Sequence, residues 1–579
     1  MSELTIAAAT ALLTAAGAPF EMQTREIGGV SLRTWKNAPR NLAEIFASTQ
    51  AFADRTYLVY EDERLTYAQV HRYVRKLAHL LVHEYGIQKG DRVAIAMRNF
   101  PEWPICFWAA AVSGAVVVPL NAWWTGPELE YGLSDSSARV LFVDEQRAHA
   151  LAAHYASLDL TAVLAVRSES ILPKGVKGFH ATLATVSDAV LLPQVDLDPE
   201  DDATIFYTSG TTGKPKGALG TQRNICTNLT SVRFSGARAA LRRGDPVPGL
   251  LAAGAALAAP APILAPLLSV PFFHATGCHS TLIANTAAGN KLVMMYKWDP
   301  ERAMALIERE KITSFGGVPS MVWQVLESPA FGQHDLSSIQ TIGYGGAPAA
   351  PELVSRIQER FPGVSSSNGY GLTETSALTT SNAGVDYLRK PDSVGVAVPT
   401  CDLKLMAADG RSEVPAGTVG ELWIRGPNVV KGYWRKPEAT AAAFTDGWLH
   451  TGDLARIDDE GFVYIVDRAK DMLIRGGENI YCVEVENALY EHPQVMDCTV
   501  VGVPHKILGE EVGAVIQLTP GTQLAADKLQ AYLRKTIAGF MVPSYFLFKT
   551  EPLPRNANGK ILKAQARAEL LDSLGIART

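Results

Sequence analysis

Short, wholly apolar runs that alternate with helical stretches restrict this chain to one fold class. RVAIAM at 92–97 leads into an apolar, helix-like run through Trp108 to Ala115, followed by VVVPLN at 116–121 and RVLFVD at 139–144. Strands of five or six residues without a polar face need cover on both sides, and an intervening helix keeps successive strands parallel. The expected class is therefore α/β, built from βαβ units. The alternation resumes at Thr204 and again around 313–317 and 341–346, where strands run into glycine-rich turns. Ligands favour such strand ends. Beyond Gly420 the texture changes, because GELWIRG and GFVYIVDR read as short antiparallel strands bounded by glycine and aspartate. A smaller α+β unit is expected after Arg468.

A length of 579 residues calls for several packed subdomains rather than one core. The net charge of -6 and the lack of a charged tail argue against nucleic-acid partners. The six cysteines, Cys106, Cys226, Cys278, Cys401, Cys482 and Cys498, form no CxxC and no metal-spaced cluster, which fits a reducing cytoplasm. The opening MSELTIAAATALLTAAGAPF lacks the basic segment of an export signal and reads as a short helix. The run GLLAAGAALAAPAPILAPLL at 249–268 is nearly long enough to span a bilayer, but Pro260, Pro262 and Pro266 would break a lipid-exposed helix. With Arg238, Arg242 and Arg243 ahead of it, the region 236–266 reads as an insertion, a surface loop or lid. A basic segment followed by an apolar one is also a candidate for weak peripheral membrane contact.

The most informative segment is YTSGTTGKPKG at 207–217, directly after an apolar strand. Glycines let backbone N–H groups approach oxyanions, the hydroxyls donate hydrogen bonds, and Lys214 and Lys216 bring positive charge, so the mixture suits phosphate. It is not a Walker A loop, since its glycines are too close and Pro215 stands where Ser or Thr is needed. A plain linker has no need of this ordered set after a buried strand.

YTSGTTGKPKG resembles the signature loop of the adenylate-forming superfamily, which includes acyl-CoA synthetases, carrier-loading adenylation domains and beetle luciferases. Further motifs follow in family order from about Asn41 to Lys563. The resemblance implies a large N-terminal domain of βαβ-type subdomains plus a distorted β-barrel, and a smaller mobile α+β C-terminal domain. It places an extension at 1–40, the large domain at 41–469 and the small domain at 470–579. ATP would be bound by Thr208, Ser209, Gly210, Thr211, Thr212, Gly213 and Lys216 of the loop, and by Gly346, Ala347 and Pro348 of GYGGAP (343–348). Asn368, Gly369, Tyr370, Gly371 and Thr373 of NGYGLTET (368–375) would continue that site, with Tyr370 against adenine, Thr373 at phosphate and Glu374 holding Mg²⁺. In WLHTGDLARIDDEGF (448–462) and DRAKDMLIRGGENIYCVEVE (467–486), Asp453 and Arg468 would meet the ribose. Lys470 would be the hinge, and Gly476 and Gly477 would line the coenzyme A channel. Lys560 in PLPRNANGKILK (552–563) corresponds to the catalytic lysine, assisted by Thr373 and Glu374. His274 of PFFHATG (271–277), Cys278, Gly317, Val318 and Gly345 would line the acyl pocket, together with the segment 377–379.

The implied enzyme is an AMP-forming acyl-CoA synthetase using ATP, Mg²⁺ and coenzyme A. A medium- or long-chain fatty acid is the leading substrate, with aryl and ether carboxylates behind. A homodimer is a candidate assembly. Loading of a separate carrier protein stays open as an alternative, because the adenylation residues are shared. A non-catalytic nucleotide-binding homologue would be expected to have lost Glu374, Asp453, Arg468 or Lys560, and all four are present.

Overall fold

The computed structural model describes residues 4–208, 214–245, 263–346, 351–415, 417–556 and 559–576. The apolar runs become the centre of a seven-stranded sheet. Its strands Lys216–Thr221, Asp202–Thr208, Val116–Pro119, Arg92–Ala96, Val140–Asp144, Ala162–Val166 and Val176–Gly178 lie side by side in that order. All pair in parallel except the first two, which are antiparallel. The helix Glu102–Val112 is buried at every residue, which explains why that run shows no polar face.

A second sheet carries the glycine-rich turns on Ser314–Gly317, Thr341–Gly345 and Ser365–Tyr370, which are parallel, and continues antiparallel through Thr380–Ala383 and Val396–Ala397. Strand contact itself demands some of these glycines. A Cβ on Gly316 would stand 1.5 Å from the carbonyl oxygen of Gly343, and one on Gly345 would stand 2.3 Å from that of Gly369. The strands of the expected barrel region form an antiparallel sheet of Asp402–Met406, Gly420–Arg425, Phe444–Thr445, Trp448–Ile457 and Val463–Arg468.

The smaller C-terminal domain has its own sheet, Leu473–Arg475, Glu478–Ile480, Val495–His505, Gly509–Leu518 and Tyr545–Lys549. The helices Cys482–Tyr490, Ala526–Leu533 and Lys563–Ser573 cover it around separate apolar clusters. At the other end of the chain the expected short helix is Ile6–Thr14. Its Ala9 and Leu13 join Phe20, Trp35, Phe234 and Leu241 in a small core against the long helix Gln222–Arg243.

That long helix corrects the reading of the insertion. Residues 236–243 are its last two turns, ended by Gly244 in the left-handed conformation, so the helix runs eight residues into the expected insertion. Arg238 and Arg242 are buried, which removes them from any membrane-facing basic patch. Arg242 makes a two-pronged pair with Asp386, at 2.9 and 2.7 Å, and also donates to the Leu4 carbonyl. Arg238 donates to the Ser381 carbonyl at 3.1 Å. Much of the apolar run, 246–262, lies outside the described residues, among which no helix is long and apolar enough to cross a membrane.

Removing one partner of a buried ion pair strands the other charge, so Arg242→Ala is expected to cost about 3–5 kcal/mol. Arg243→Ala, at the exposed pair with Asp245, should stay within about 0.5 kcal/mol. Urea midpoints at constant slope measure both, and a neutral Arg242→Ala would contradict the packing described.

Candidate active site

The motifs meet where the second sheet, the antiparallel sheet and the small domain come together. Tyr370 ends the strand Ser365–Tyr370, and its hydroxyl donates to Asp453 Oδ2 at 2.7 Å. Asp453 lies directly across from Arg468 in an antiparallel register, and Arg468 Nε sits 3.0 Å from Oδ1. The carboxylate is only 3% exposed, yet it is paired on both oxygens. Burial, reinforced by the Asp453 charge, drives the Tyr370 phenol well above its ordinary range, so it stays a neutral donor.

Thr373–Thr375 form one tight helical turn just beyond Tyr370. Glu374 Oε1 accepts the Tyr433 hydroxyl at 2.8 Å, and the Lys216 ammonium lies 5.2 Å from the centre of the same tyrosine ring. Lys216 opens the strand Lys216–Thr221, and Thr208 closes the strand paired with it. Between them, Ser209, Gly210, Thr211, Thr212 and Gly213 lie outside the described residues, as do Ala347 and Pro348. Both ends of the loop are anchored to the helix Gly126–Ser136: the Tyr131 hydroxyl donates to the Pro215 carbonyl at 2.9 Å, and the Tyr207 hydroxyl to Asp135 at 2.8 Å.

Lys560 reaches this cluster from the small domain. Its own N–H donates to Asn556 Oδ1 at 3.0 Å, which closes the turn that presents it. Gly559 packs against Val318, where a Cβ would stand 2.7 Å from Cγ2, and a Cβ on Gly346 would be 4.0 Å from Lys560 Cε. Burial holds the ammonium below the usual lysine range. Arg468 and Lys470 add repulsion, while Asp453 and Glu374 oppose it. His274 is pushed down to about 3, first by burial and then by Lys560 and His279, so its ring is neutral. Asn368, Gly369 and Gly371 share the strand and turn that bring in Tyr370 and Thr373.

Other predicted positions fall elsewhere. Cys278 is wholly buried in the main core beside Tyr57. Gly317 and Val318 border Met321 and the Lys560 loop, and Gly345 packs on Gly369. Lys470 stands exposed in the turn linking Val463–Arg468 to Leu473–Arg475. Gly476 and Gly477, at φ +59° and +93°, make a tight exposed hairpin tip that only glycine fills without strain. In this arrangement Lys560 is inside and the glycine hairpin faces solvent.

Tyr433 escaped the sequence reading. It lies in a GYW run with no spacing that links it to Glu374, 59 residues away. Magnesium fits the donor set. Among the described residues no cluster of three or more acidic, histidine or cysteine side chains could cage a metal, and a lone hard carboxylate such as Glu374 suits a cation that keeps its waters and phosphate oxygens. A cationic rim of Lys560, Arg468 and Lys216 around two carboxylates can receive a polyphosphate and a diol.

Residues 45–434 match the family described as AMP-binding enzyme, and residues 484–560 match its C-terminal domain. A feruloyl-CoA synthase of Amycolatopsis is 36% identical over 503 residues, which is 87% of this chain and 93% of that protein. A long-chain-fatty-acid–CoA ligase of Bacillus subtilis is 33% identical over 544 residues, 90% and 93% respectively. The crystal structure of an anthranilate CoA ligase in complex with anthranoyl-AMP aligns with a TM-score of 0.81 at 26% identity, covering 93% of this chain and 98% of that one.

Asp453→Ala leaves the Tyr370 hydroxyl and the Arg468 guanidinium without their acceptor. Because Arg468 keeps partial access to water, the expected stability loss is about 1–3 kcal/mol. Tyr370→Phe should cost about 1 kcal/mol. Denaturant unfolding of the two variants and their double mutant should show non-additivity, since the residues share one hydrogen bond.

Proposed function

The chain belongs to the AMP-binding enzyme family, and on that premise we propose that it condenses a carboxylic acid with ATP to an acyl-adenylate and then passes the acyl group to the thiol of coenzyme A. It is an acid–thiol ligase with ATP and coenzyme A as substrates. The observation that carries the residue assignments is that the loop of Lys560, from the small domain, packs against Val318 and Gly346 of the large domain, whose Tyr370 and Asp453 form one cluster with Arg468.

A carboxylate repels nucleophiles and has a poor leaving group, so it must first be converted to a mixed anhydride. Its oxygen attacks the α-phosphorus in line, the bond to the β-phosphate oxygen breaks, and pyrophosphate leaves. Catalysis of that step is alignment plus stabilisation of spread negative charge. Lys560 would supply a buried cation at the reacting carboxylate and α-phosphate, and Thr373 a hydroxyl donor to phosphate. Asp453, held by Tyr370 and Arg468, would accept from the ribose hydroxyls. Glu374 would hold Mg²⁺, whose contribution when bound is to neutralise phosphate charge. The 209–213 loop with Thr208 and Lys216, and the segment Gly346, Ala347 and Pro348, would complete the nucleotide site.

In the second half-reaction the thiol sulfur attacks the adenylate carbonyl, AMP leaves and the thiol proton goes to solvent or base. A lysine at the reacting centre obstructs that approach. With the boundary at 469/470 and Lys470 as hinge, a rotation would withdraw Lys560 and bring in the Gly476–477 tip as the thiol channel; the exposed position of Lys470, in the turn between Val463–Arg468 and Leu473–Arg475, supports this reading. The acid is an apolar carboxylate: a medium- or long-chain fatty acid leads, and an aryl acid is the second reading, favoured by the feruloyl-CoA synthase relative. His274, Gly317, Val318 and Gly345 would mark the pocket region, while Cys278 packs in the main core.

AMP release with ATP, Mg²⁺ and a panel of fatty, aryl and ether carboxylates, with and without coenzyme A, tests the reading. Dependence on coenzyme A supports it, and turnover that requires a carrier protein instead would replace it. Lys560→Ala should lower adenylate formation by about 10²–10³-fold while thioester formation from supplied acyl-adenylate stays within about threefold. Equal loss of both half-reactions would count against the lysine's assignment.

A further inference from the structure

The backbone just after Thr373–Thr375 is strained. Ser376 and Ala377 stand at φ +54° and +105°, in a region that L-residues avoid. The chain then doubles back on its own motif. Ala377 N–H donates to the Leu372 carbonyl at 3.1 Å and Thr379 N–H to that of Tyr370 at 2.8 Å. A Cβ on Gly371 would stand 1.4 Å from the Ala377 oxygen. Conformations of this kind persist only where the surroundings over-determine them, and such strain gathers at functional sites.

Three buried side chains from separate parts of the fold supply that constraint. His279, on the helical segment Thr276–Ile283, donates Nδ1–H to the Ser376 carbonyl at 3.2 Å. Asn228, on Gln222–Arg243, accepts Leu378 N–H on Oδ1 at 2.9 Å. Asn428 donates Nδ2 to the carbonyls of Thr375 and Leu378, at 3.1 and 3.2 Å. A carbonyl acceptor fixes the His279 proton on Nδ1, and burial pushes the imidazole down to about 4, so the ring is neutral. His279 Nε2 and Asn228 Nδ2 are buried and have no hydrogen-bond partner among the described residues. Each residue therefore leaves one polar atom unsatisfied in order to hold one backbone group, a cost that an apolar side chain would avoid.

We infer that His279 is a positioning residue for the adenylation step, fixing Thr373 and Glu374 by holding the Ser376 carbonyl of the strained turn behind them. The inference rests on the proposed adenylation reading. His279 lies behind the turn, and the other side of Glu374 is fixed independently, by the Tyr433 hydroxyl and by Val430 N–H, which donates to the Glu374 carbonyl at 3.0 Å. The Tyr433 hydroxyl holds the carboxylate itself, while Val430 and His279 hold the backbone on which it stands. Preorganisation of that kind matters because small displacements of charge-stabilising groups are costly to rate.

The test pairs His279→Leu with His279→Asn, whose amide N–H takes about the place of Nδ1–H. Three quantities are measured: carboxylate-dependent ATP–pyrophosphate exchange, the thermal midpoint, and calorimetric ATP affinity with and without Mg²⁺. His279→Leu should lower kcat for exchange about 10- to 100-fold, with KM for the acid within about threefold. Its midpoint should fall by only a few degrees, because loss of the unsatisfied nitrogen offsets part of the cost of leaving the Ser376 carbonyl without its donor. The tightening of ATP binding by Mg²⁺ should shrink about tenfold, and His279→Asn should recover most of both. Exchange at the wild-type rate in His279→Leu would overturn the inference, as would a loss that tracks a collapsed midpoint and is not rescued by Asn. If the wild type exchanges with no carboxylate, the adenylation reading fails separately. The Mg²⁺ effect on ATP affinity then decides for His279: a smaller effect in the Leu variant supports its role, and an unchanged one overturns it.

Discussion

Asp453 keeps a negative charge inside the protein, and much of the surrounding structure exists to make that tolerable. An isolated buried carboxylate would take up a proton or destabilise the fold. Here one oxygen takes the Tyr370 phenol and the other faces the Arg468 guanidinium. Those partners belong to different sheets, so the pairing clamps the parallel strand Ser365–Tyr370 to the antiparallel strands Trp448–Ile457 and Val463–Arg468. Arg468 is also the last residue of its strand, so the clamp fixes the point from which the chain turns into the small domain.

The same charge sets the terms on which Lys560 enters. Burial and two neighbouring cations work against its ammonium, and Asp453 and Glu374 are the counterweights. The balance leaves the Lys560 ammonium below the usual lysine range. Its loop is fastened to the large domain by the van der Waals contact of Gly559 with Val318.

Much of the fold was legible because its signals are local. The runs 92–97, 116–121 and 139–144 have no polar face and became central strands, and the short N-terminal helix showed in its own composition. The motif residues were legible because chemistry fixes their type and spacing. Tyr433, His279, Asn228 and Asn428 were not. Each acts through hydrogen bonds to residues 50 to 150 positions away, and no periodicity encodes such a distance. Arg238 and Arg242 were misread for the opposite reason: a basic cluster on paper looks like a solvated face, and only the fold shows Asp386 waiting for one of them.

The helix Gln222–Arg243 explains how the N-terminal segment bears on the site. Its first turn is locked by a capping box between Thr221 and Asn224, directly after the strand that leaves the glycine-rich loop. Asn224 also donates to the carbonyls of Pro427 and Val429, on either side of the Asn428 that holds the strained turn. One turn further on, Asn228 grips Leu378. Past that point Ser231 accepts the Trp35 indole N–H at 3.1 Å, and Arg242 joins Asp386 and the Leu4 carbonyl. A helix is stiff along its axis, so register set at any of these points is carried to the others. The segment before residue 40 therefore packs against the far half of the same helix whose near half, through Asn228, holds the Leu378 backbone.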